Sequence, residues 1–127
     1  MHLLVDTQSY LWLGLDPRSL SAAATEAARN PSNTLFVSIA TLWEIAIKVS
    51  IGKLPLPTMI AAFIAGQESP GFTTLPVTEA HTLVASALPL IHRDPFDRML
   101  VAQARVEGVA FVANDGLIVQ YGVPVLW

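Results

Sequence analysis

The sequence predicts an α/β fold: a mostly parallel sheet of about five strands with helices on both faces. Three observations carry this. Short apolar runs, Leu3-Leu4-Val5 and Ala110-Phe111-Val112-Ala113, have the composition of strands buried on both faces rather than the alternation of a half-exposed sheet. Between such runs lie segments whose apolar residues recur at helical spacing. Both runs also end close to an acid, Asp6 and Asp115, at the edge where open α/β sheets meet their ligands.

Taken in order, Leu3 to Val5 predicts the first strand, and Thr7 to Leu13 a short helix closed by Gly14. Asp16-Pro17 opens an alanine-rich helix that starts at Ser19 or Ser21 and runs to Arg29, where Asn30-Pro31 ends it. Thr34 to Val37 is β-branched and aromatic, a second strand, with Ser38 as the cap of a helix from Ile39 to Ile51. Thr58 caps a helix to about Ala65, Phe72 to Val77 forms a third strand, and Thr78 caps a helix to about Ala87. Asp94-Pro95 starts a strong helix that Gly108 stops. Ala110 to Ala113, a short helix from Leu117 to Tyr121 and a terminal strand from Val123 to Trp127 complete the alternation.

The bulk properties bound the function. At 127 residues the expectation is one domain, residues 1–127. Hydrophobic residues make up 53% and charged residues 13%, with a mean hydropathy of +0.53; this is apolar enough to expect a partner, a second copy included, over part of the surface. A membrane span is not expected, because the uncharged segment from Leu54 to Gln67 is interrupted by Pro55 and Pro57 and falls short of roughly 18 residues. No positive region precedes Leu3, so a secretory signal is not expected either, and a cytoplasmic location is. With no cysteine, any metal must be held by carboxylates, imidazole or water. The net charge of -3 advertises no basic field for nucleic acid, so phosphate contact would fall to Lys48, Lys53, Arg93, Arg98 or bound cations.

Each conspicuous acid has a local explanation. Asp6 can cap the first helix, Glu44 can pair with Lys48 at i, i+4, and Asp115 lies in Asn114-Asp115-Gly116, which suits a turn. Asp94 is placed to accept the N–H groups of Phe96 or Asp97, whereas Asp97 shares a helix face with Leu100 and Val101 and is turned toward the sheet. His81 has no companion at metal-ligand spacing and reads as structural. Position adds a second reading, since strand ends and helix starts can converge at one edge of a parallel sheet. Carboxylates gathered there repel one another unless a cation sits among them, and hard oxygens with open water positions suit Mg²⁺ or Mn²⁺.

The segments LLVDT from Leu3, S-x-x-x-x-W-E-I around Glu44, DPFDRMLVAQA from Asp94 and Asn114-Asp115 resemble the PIN-domain family. Within it the chain is similar to the VapC toxins of bacterial toxin-antitoxin pairs. The resemblance implies a PIN-like fold and a metal-dependent endoribonuclease that uses Mg²⁺ or Mn²⁺ and is held inactive by a VapB-like antitoxin. It implies Asp6, Glu44, Asp97 and Asp115 as catalytic and metal-binding acids. Thr7, Ser38, Asp94 and Asn114 would lie in the surrounding shell, Asn114 departing from the Thr or Ser frequent there. Arg93 and Arg98, which flank the third acid motif, are candidate RNA contacts, and a homodimer is expected.

Other doubly wound folds fare worse. A haloacid-dehalogenase-like phosphatase needs a second Asp where this chain has Gln8, and a response receiver needs a late lysine, whereas the lysines are Lys48 and Lys53. The rival of another class is a catalytically weak PIN-like binding module that acts through antitoxin or operator complexes; the presence of all four acids weighs against it.

Overall fold

The first apolar run becomes the middle of the sheet. The computed structural model describes residues 1–68 and 71–127. Its strands are β1 (His2–Val5), β2 (Thr34–Ser38), β3 (Phe72–Leu75), β4 (Ala110–Val112) and β5 (Val125–Leu126). They form one sheet in the order β3-β2-β1-β4-β5 with every pairing parallel. The helices are α1 (Thr7–Leu15), α2 (Ala22–Arg29), α3 (Ile39–Ser50), α4 (Ile60–Glu68), α5 (Glu79–Ala87), α6 (Pro95–Glu107) and α7 (Gly116–Val119). Among the described residues no helix is long and apolar enough to cross a membrane.

The period-two geometry of a strand sends neighbouring side chains to opposite faces, and both faces here are apolar. Leu3, Val5, Leu35, Val37 and Val112 pack with Tyr10, Ala24, Ile45 and Phe63 from α1 to α4. Leu4, Phe111 and Ala113 pack on the other face with Leu100, Val101 and Ala104 of α6 and Ile118 of α7. Burial of each such Leu, Val or Phe stabilises the fold by about 1.5–3 kcal/mol, which keeps the strand ends rigid.

The chain builds outward from β1 through β2 to β3, then returns to the other side of β1 for β4. The carboxyl ends of β1 and β4 therefore flank the point where the strand order reverses, the usual ligand crevice of an open α/β sheet. There the N–H of Asp6 donates to the carbonyl of Val112 at 3.1 Å, tying the two ends together.

Several element boundaries differ from the expected ones. β3 stops at Leu75 because Pro76 cannot donate to the ladder, and β5 is confined to two residues after Pro124. Helix α4 begins at Ile60, two residues beyond the expected Thr58 cap, and runs past Ala65. Gly14 does not close α1 but lies inside it, and the helix ends at Leu15 with Asp16 as its C-cap, ahead of Pro17. A Cβ on Gly14 would lie 2.7 Å from both the Gln67 amide nitrogen and the Phe63 ring. That nitrogen also donates to the Tyr10 carbonyl at 2.8 Å, so neither neighbour yields freely.

In an exposed helix interior, Gly→Ala gains about 1 kcal/mol. Here the sign reverses: Gly14→Ala is expected to cost about 1–3 kcal/mol through overpacking against α4. Denaturant melts of the two proteins check this, and an unchanged or raised midpoint would show that α4 is free to move aside.

Candidate functional site

At the switch point the structure gathers Asp6, Glu44, Asp97 and Asp115, with Asp94 beside them, around one cleft of about 230 Å³. Asp6 follows β1, Glu44 lies in the middle of α3, Asp94 and Asp97 belong to the start of α6, and Asp115 precedes α7. Thr7, Lys48 and Asn114 also line it.

Three of these acids cap helices that begin at the cleft. The Oδ1 of Asp6 accepts from the N–H of Ser9 at 2.8 Å, and that of Asp115 from the N–H of Leu117 at 2.9 Å. Asp94 accepts from Phe96 at 2.8 Å and from Asp97 at 3.4 Å through a single oxygen, the cap expected from its place before Pro95. Glu44 is held by side chains instead. Its Oε1 accepts from the Thr7 hydroxyl at 2.7 Å and its Oε2 from Lys48 Nζ at 2.7 Å. The residue is only 5% exposed, so the i, i+4 pair expected from sequence is present and its carboxylate is enclosed as well.

His92 closes the arrangement. Its Nδ1 accepts from the N–H of Asp94 at 3.2 Å, which leaves the hydrogen of the neutral ring on Nε2. That nitrogen lies 2.9 Å from Asp115 Oδ2 and 3.3 Å from Asp97 Oδ2. A ring nitrogen of His92 and one oxygen from each of Asp97 and Asp115 all fall within 4.8 Å of one another; with its hydrogen on Nε2 the ring donates to the two carboxylates, and the oxygens are what a cation would meet.

The charge is not balanced by these contacts. Burial, reinforced by the nearby Asp94 carboxylate, pushes the Asp97 carboxyl up to about 7, even with His92 acting in the opposite direction. Burial also raises Asp6, against the hydrogen bonding from Ser9. Lys48 is held above the usual lysine value by its hydrogen bond to Glu44. Hard oxygen donors short of positive charge fit a divalent cation, and Asp6, Asp97 and Asp115, with Glu44 alongside, are the residues that could hold one.

Of the other residues singled out from sequence, Thr7 supports Glu44, and Asn114 is exposed on the rim. Ser38 is buried away from the cleft, where its hydroxyl caps α3 by accepting from Ala40 at 3.0 Å. Arg93 is exposed. Arg98 is partly buried, and its guanidinium donates to the carbonyls of Ala85, Leu88, Pro89 and His92 and to the Tyr121 hydroxyl. His81 is structural, with Nδ1 accepting from Thr78 and Nε2 against Glu107.

Two residues escaped the sequence reading. Thr41 lies 3.2 Å from the Thr7 hydroxyl and one helical turn before Glu44, a spacing that could have flagged it. His92 stands two residues ahead of the cap Asp94, at the same helix start as Asp97, and that proximity was its only signal.

Residues 3–123 match the family model of the PIN domain. The chain belongs to the PIN domain family. Its fold is shared by a chain of VapBC2 from Rickettsia felis, whose structure is of the complex bound to a DNA fragment from its promoter. The TM-score is 0.71 at 14% identity, over 98% of this chain and 97% of that one. VapBC-1 from nontypeable Haemophilus influenzae gives 0.69 at 16% identity over 98% and 96%. FitAB bound to an IR36 DNA fragment gives 0.61 at 16% over 97% and 92%. No curated protein matches the sequence.

For this PIN domain the raised Asp97 has a consequence with a definite sign. The folded protein holds a proton that the unfolded chain, at the ordinary carboxylate value, releases sooner. The stabilising contribution is full below that ordinary value and is lost as pH rises through about 7. Melting of metal-free protein between pH 4.5 and 8 is expected to show the melting temperature falling toward the upper end, with Asp97→Asn flattening the fall. Parallel profiles would locate the titration elsewhere.

Proposed function

We propose that this PIN domain is a VapC-type toxin, a Mg²⁺- or Mn²⁺-dependent endoribonuclease of the cytoplasm restrained by a VapB-like antitoxin. The observation that carries the reading is the convergence of Asp6, Glu44, Asp97 and Asp115 from four separate parts of the chain on one cleft. Structural caps alone do not require four acids to meet, and the cost of bringing them together points to a cation-dependent reaction. The family supports a nuclease, and the VapBC and FitAB folds support an antitoxin partner.

When bound, a divalent ion supplies neutralisation of the scissile phosphate and activation of a water. The chain's own residues arrange the rest. Asp97 and Asp115 offer oxygens that His92 holds side by side. Thr7 and Lys48 fix Glu44 at the same cleft. The proton on Asp97 must leave before that carboxylate can serve as a ligand, so metal affinity should rise with pH up to about 7.

Beside the cleft lies an apolar groove of about 530 Å³. Trp43 and Phe96, the sequence neighbours of Glu44 and Asp97, meet across it edge to face with ring centres 5.6 Å apart, and Trp43 is 63% exposed. An antitoxin segment with apolar side chains in this groove and an Arg among the carboxylates would block substrate and metal together. Exposed Leu83, Leu90 and Met59 lie outside the groove, and a homodimer is consistent with such surface.

Partner-free protein is expected to cut total bacterial RNA with Mg²⁺ or Mn²⁺ and to stop in excess EDTA; cutting that persists in EDTA, or none with either ion, would sink the proposal. Asp97→Asn should abolish cleavage and weaken metal binding at unchanged fold. Asp94→Asn should cost about 1 kcal/mol as a lost cap and keep part of the activity. RNA cleavage, Mn²⁺ titration and thermal melting measure the pair, and equal loss of metal affinity in both would make Asp94 a ligand as well.

A further inference from the structure

Resting on the nuclease reading, we infer that Lys48 is the chain's own phosphate-contacting cation, held by Glu44 at the cleft to bind a non-bridging oxygen of the RNA backbone. It is the only Lys or Arg among the residues lining the cleft, where five carboxylates, Asp6, Glu44, Asp94, Asp97 and Asp115, meet it. A polyanion entering such a cleft is repelled unless positive charge is fixed there. The other nearby cations are otherwise disposed: Arg98 is committed to four backbone carbonyls and the Tyr121 hydroxyl, and Arg93 is exposed and does not line the cleft.

The plain alternative is a helix salt bridge, favourable also because a cation near the end of α3 suits the helix dipole. Its geometry is unlike the surface case. The carboxylate side chain is 7% exposed and the lysine side chain 46%, so the acid is buried whereas the lysine side chain is open to solvent over nearly half its surface. The acid is anchored from behind, with Thr41 against Thr7 at 3.2 Å and Thr7 donating to Glu44 at 2.7 Å. The ammonium is thus fixed by a buried chain of polar contacts. It has three donors, of which Glu44 takes one. A single-point cation with free donors at an acid-lined cleft suits a phosphate oxygen, because it attracts the backbone without reading the base.

The test separates this role from neutralisation of Glu44. Wild type, Lys48→Gln and Lys48→Arg are compared for affinity to a fluorescein-labelled 2′-O-methyl RNA 20-mer of mixed sequence with Mg²⁺ over a salt series, and for Mn²⁺ binding without RNA. Phosphate contact predicts that Lys48→Gln weakens RNA binding by about three- to tenfold at low salt and flattens the log–log salt slope by about 0.7. Mn²⁺ affinity should be unchanged or tighter, and Lys48→Arg should restore most of the RNA affinity. Should Lys48→Gln not fold, Lys48→Met, which keeps the aliphatic stem, carries the same comparison. RNA affinity and salt slope equal to wild type, or a loss of Mn²⁺ affinity that accounts for the loss of RNA binding, would overturn the inference. Wild type that cleaves RNA while Lys48→Gln binds it equally well sinks only the role of Lys48. Wild type that neither takes up Mn²⁺ nor cleaves RNA sinks the nuclease reading and this inference together.

Discussion

Carboxylates taken partly out of water and set against one another at the ends of β1 and β4 are the constraint to which the surrounding structure answers. Oxygens of Asp97 and Asp115 lie within 4.8 Å of each other, and two unit charges about 5 Å apart at an effective dielectric near 20 repel by about 3 kcal/mol. Helix caps at Asp6, Asp94 and Asp115 return about 1 kcal/mol each. The caps therefore orient the acids without neutralising them. What remains unbalanced appears as the proton retained on Asp97, and the rigid apolar faces of the sheet prevent the acids from relieving the repulsion by moving apart.

The loop before α6 is fixed with equal care. Arg98 donates to carbonyls of Ala85, Leu88, Pro89 and His92, in the last turn of α5 and the loop that follows it. Tyr121 joins the same knot, its hydroxyl donating to the Pro89 carbonyl at 2.9 Å and accepting from the N–H of His92 at 2.8 Å. The imidazole of His92 is thereby delivered to Asp97 and Asp115 by residues that never reach the cleft. An arginine inside an acid-rich motif can thus serve the backbone rather than the substrate.

The sheet and the alternation of its elements could be read from sequence because each rests on a local pattern: Leu3 to Val5 as a buried run, Ile39 to Ile51 at helical spacing, Asp94-Pro95 as a helix start; the grouping of the four acids came from the resemblance to the PIN-domain family, since each acid alone has a local explanation. Gly14 could not be read correctly, since the reason for a glycine there is Phe63 and Gln67, some fifty residues away, and no local rule distinguishes a packing glycine from a stop. The contacts of Arg98 and His92 could not be read for the same reason. The arginine's acceptors and the histidine's carboxylates are set by how the loop after α5 meets α6 and α7, a tertiary fact. Strand ends were overestimated around proline: β3 stops at Leu75, ahead of Pro76, and β5 starts after Pro124, which keeps only its carbonyl in the ladder, accepting from the N–H of Phe111 at 2.8 Å.

Cap and cleft residue are not competing descriptions of one acid. A carboxylate has two oxygens, and a helix start engages one: Asp6 and Asp115 each accept from the following backbone through Oδ1, and the Oδ2 of Asp115 is left for His92. Glu44 is the exception that explains its neighbours. It lies in the interior of α3, where every backbone N–H is already spent within the helix, so its burial could be satisfied only by side chains. Thr7 provides one donor from the start of α1 and Lys48 the other from the next turn of α3. The acid that the backbone cannot cap is therefore the one that brings a lysine to the edge of an otherwise negative cleft.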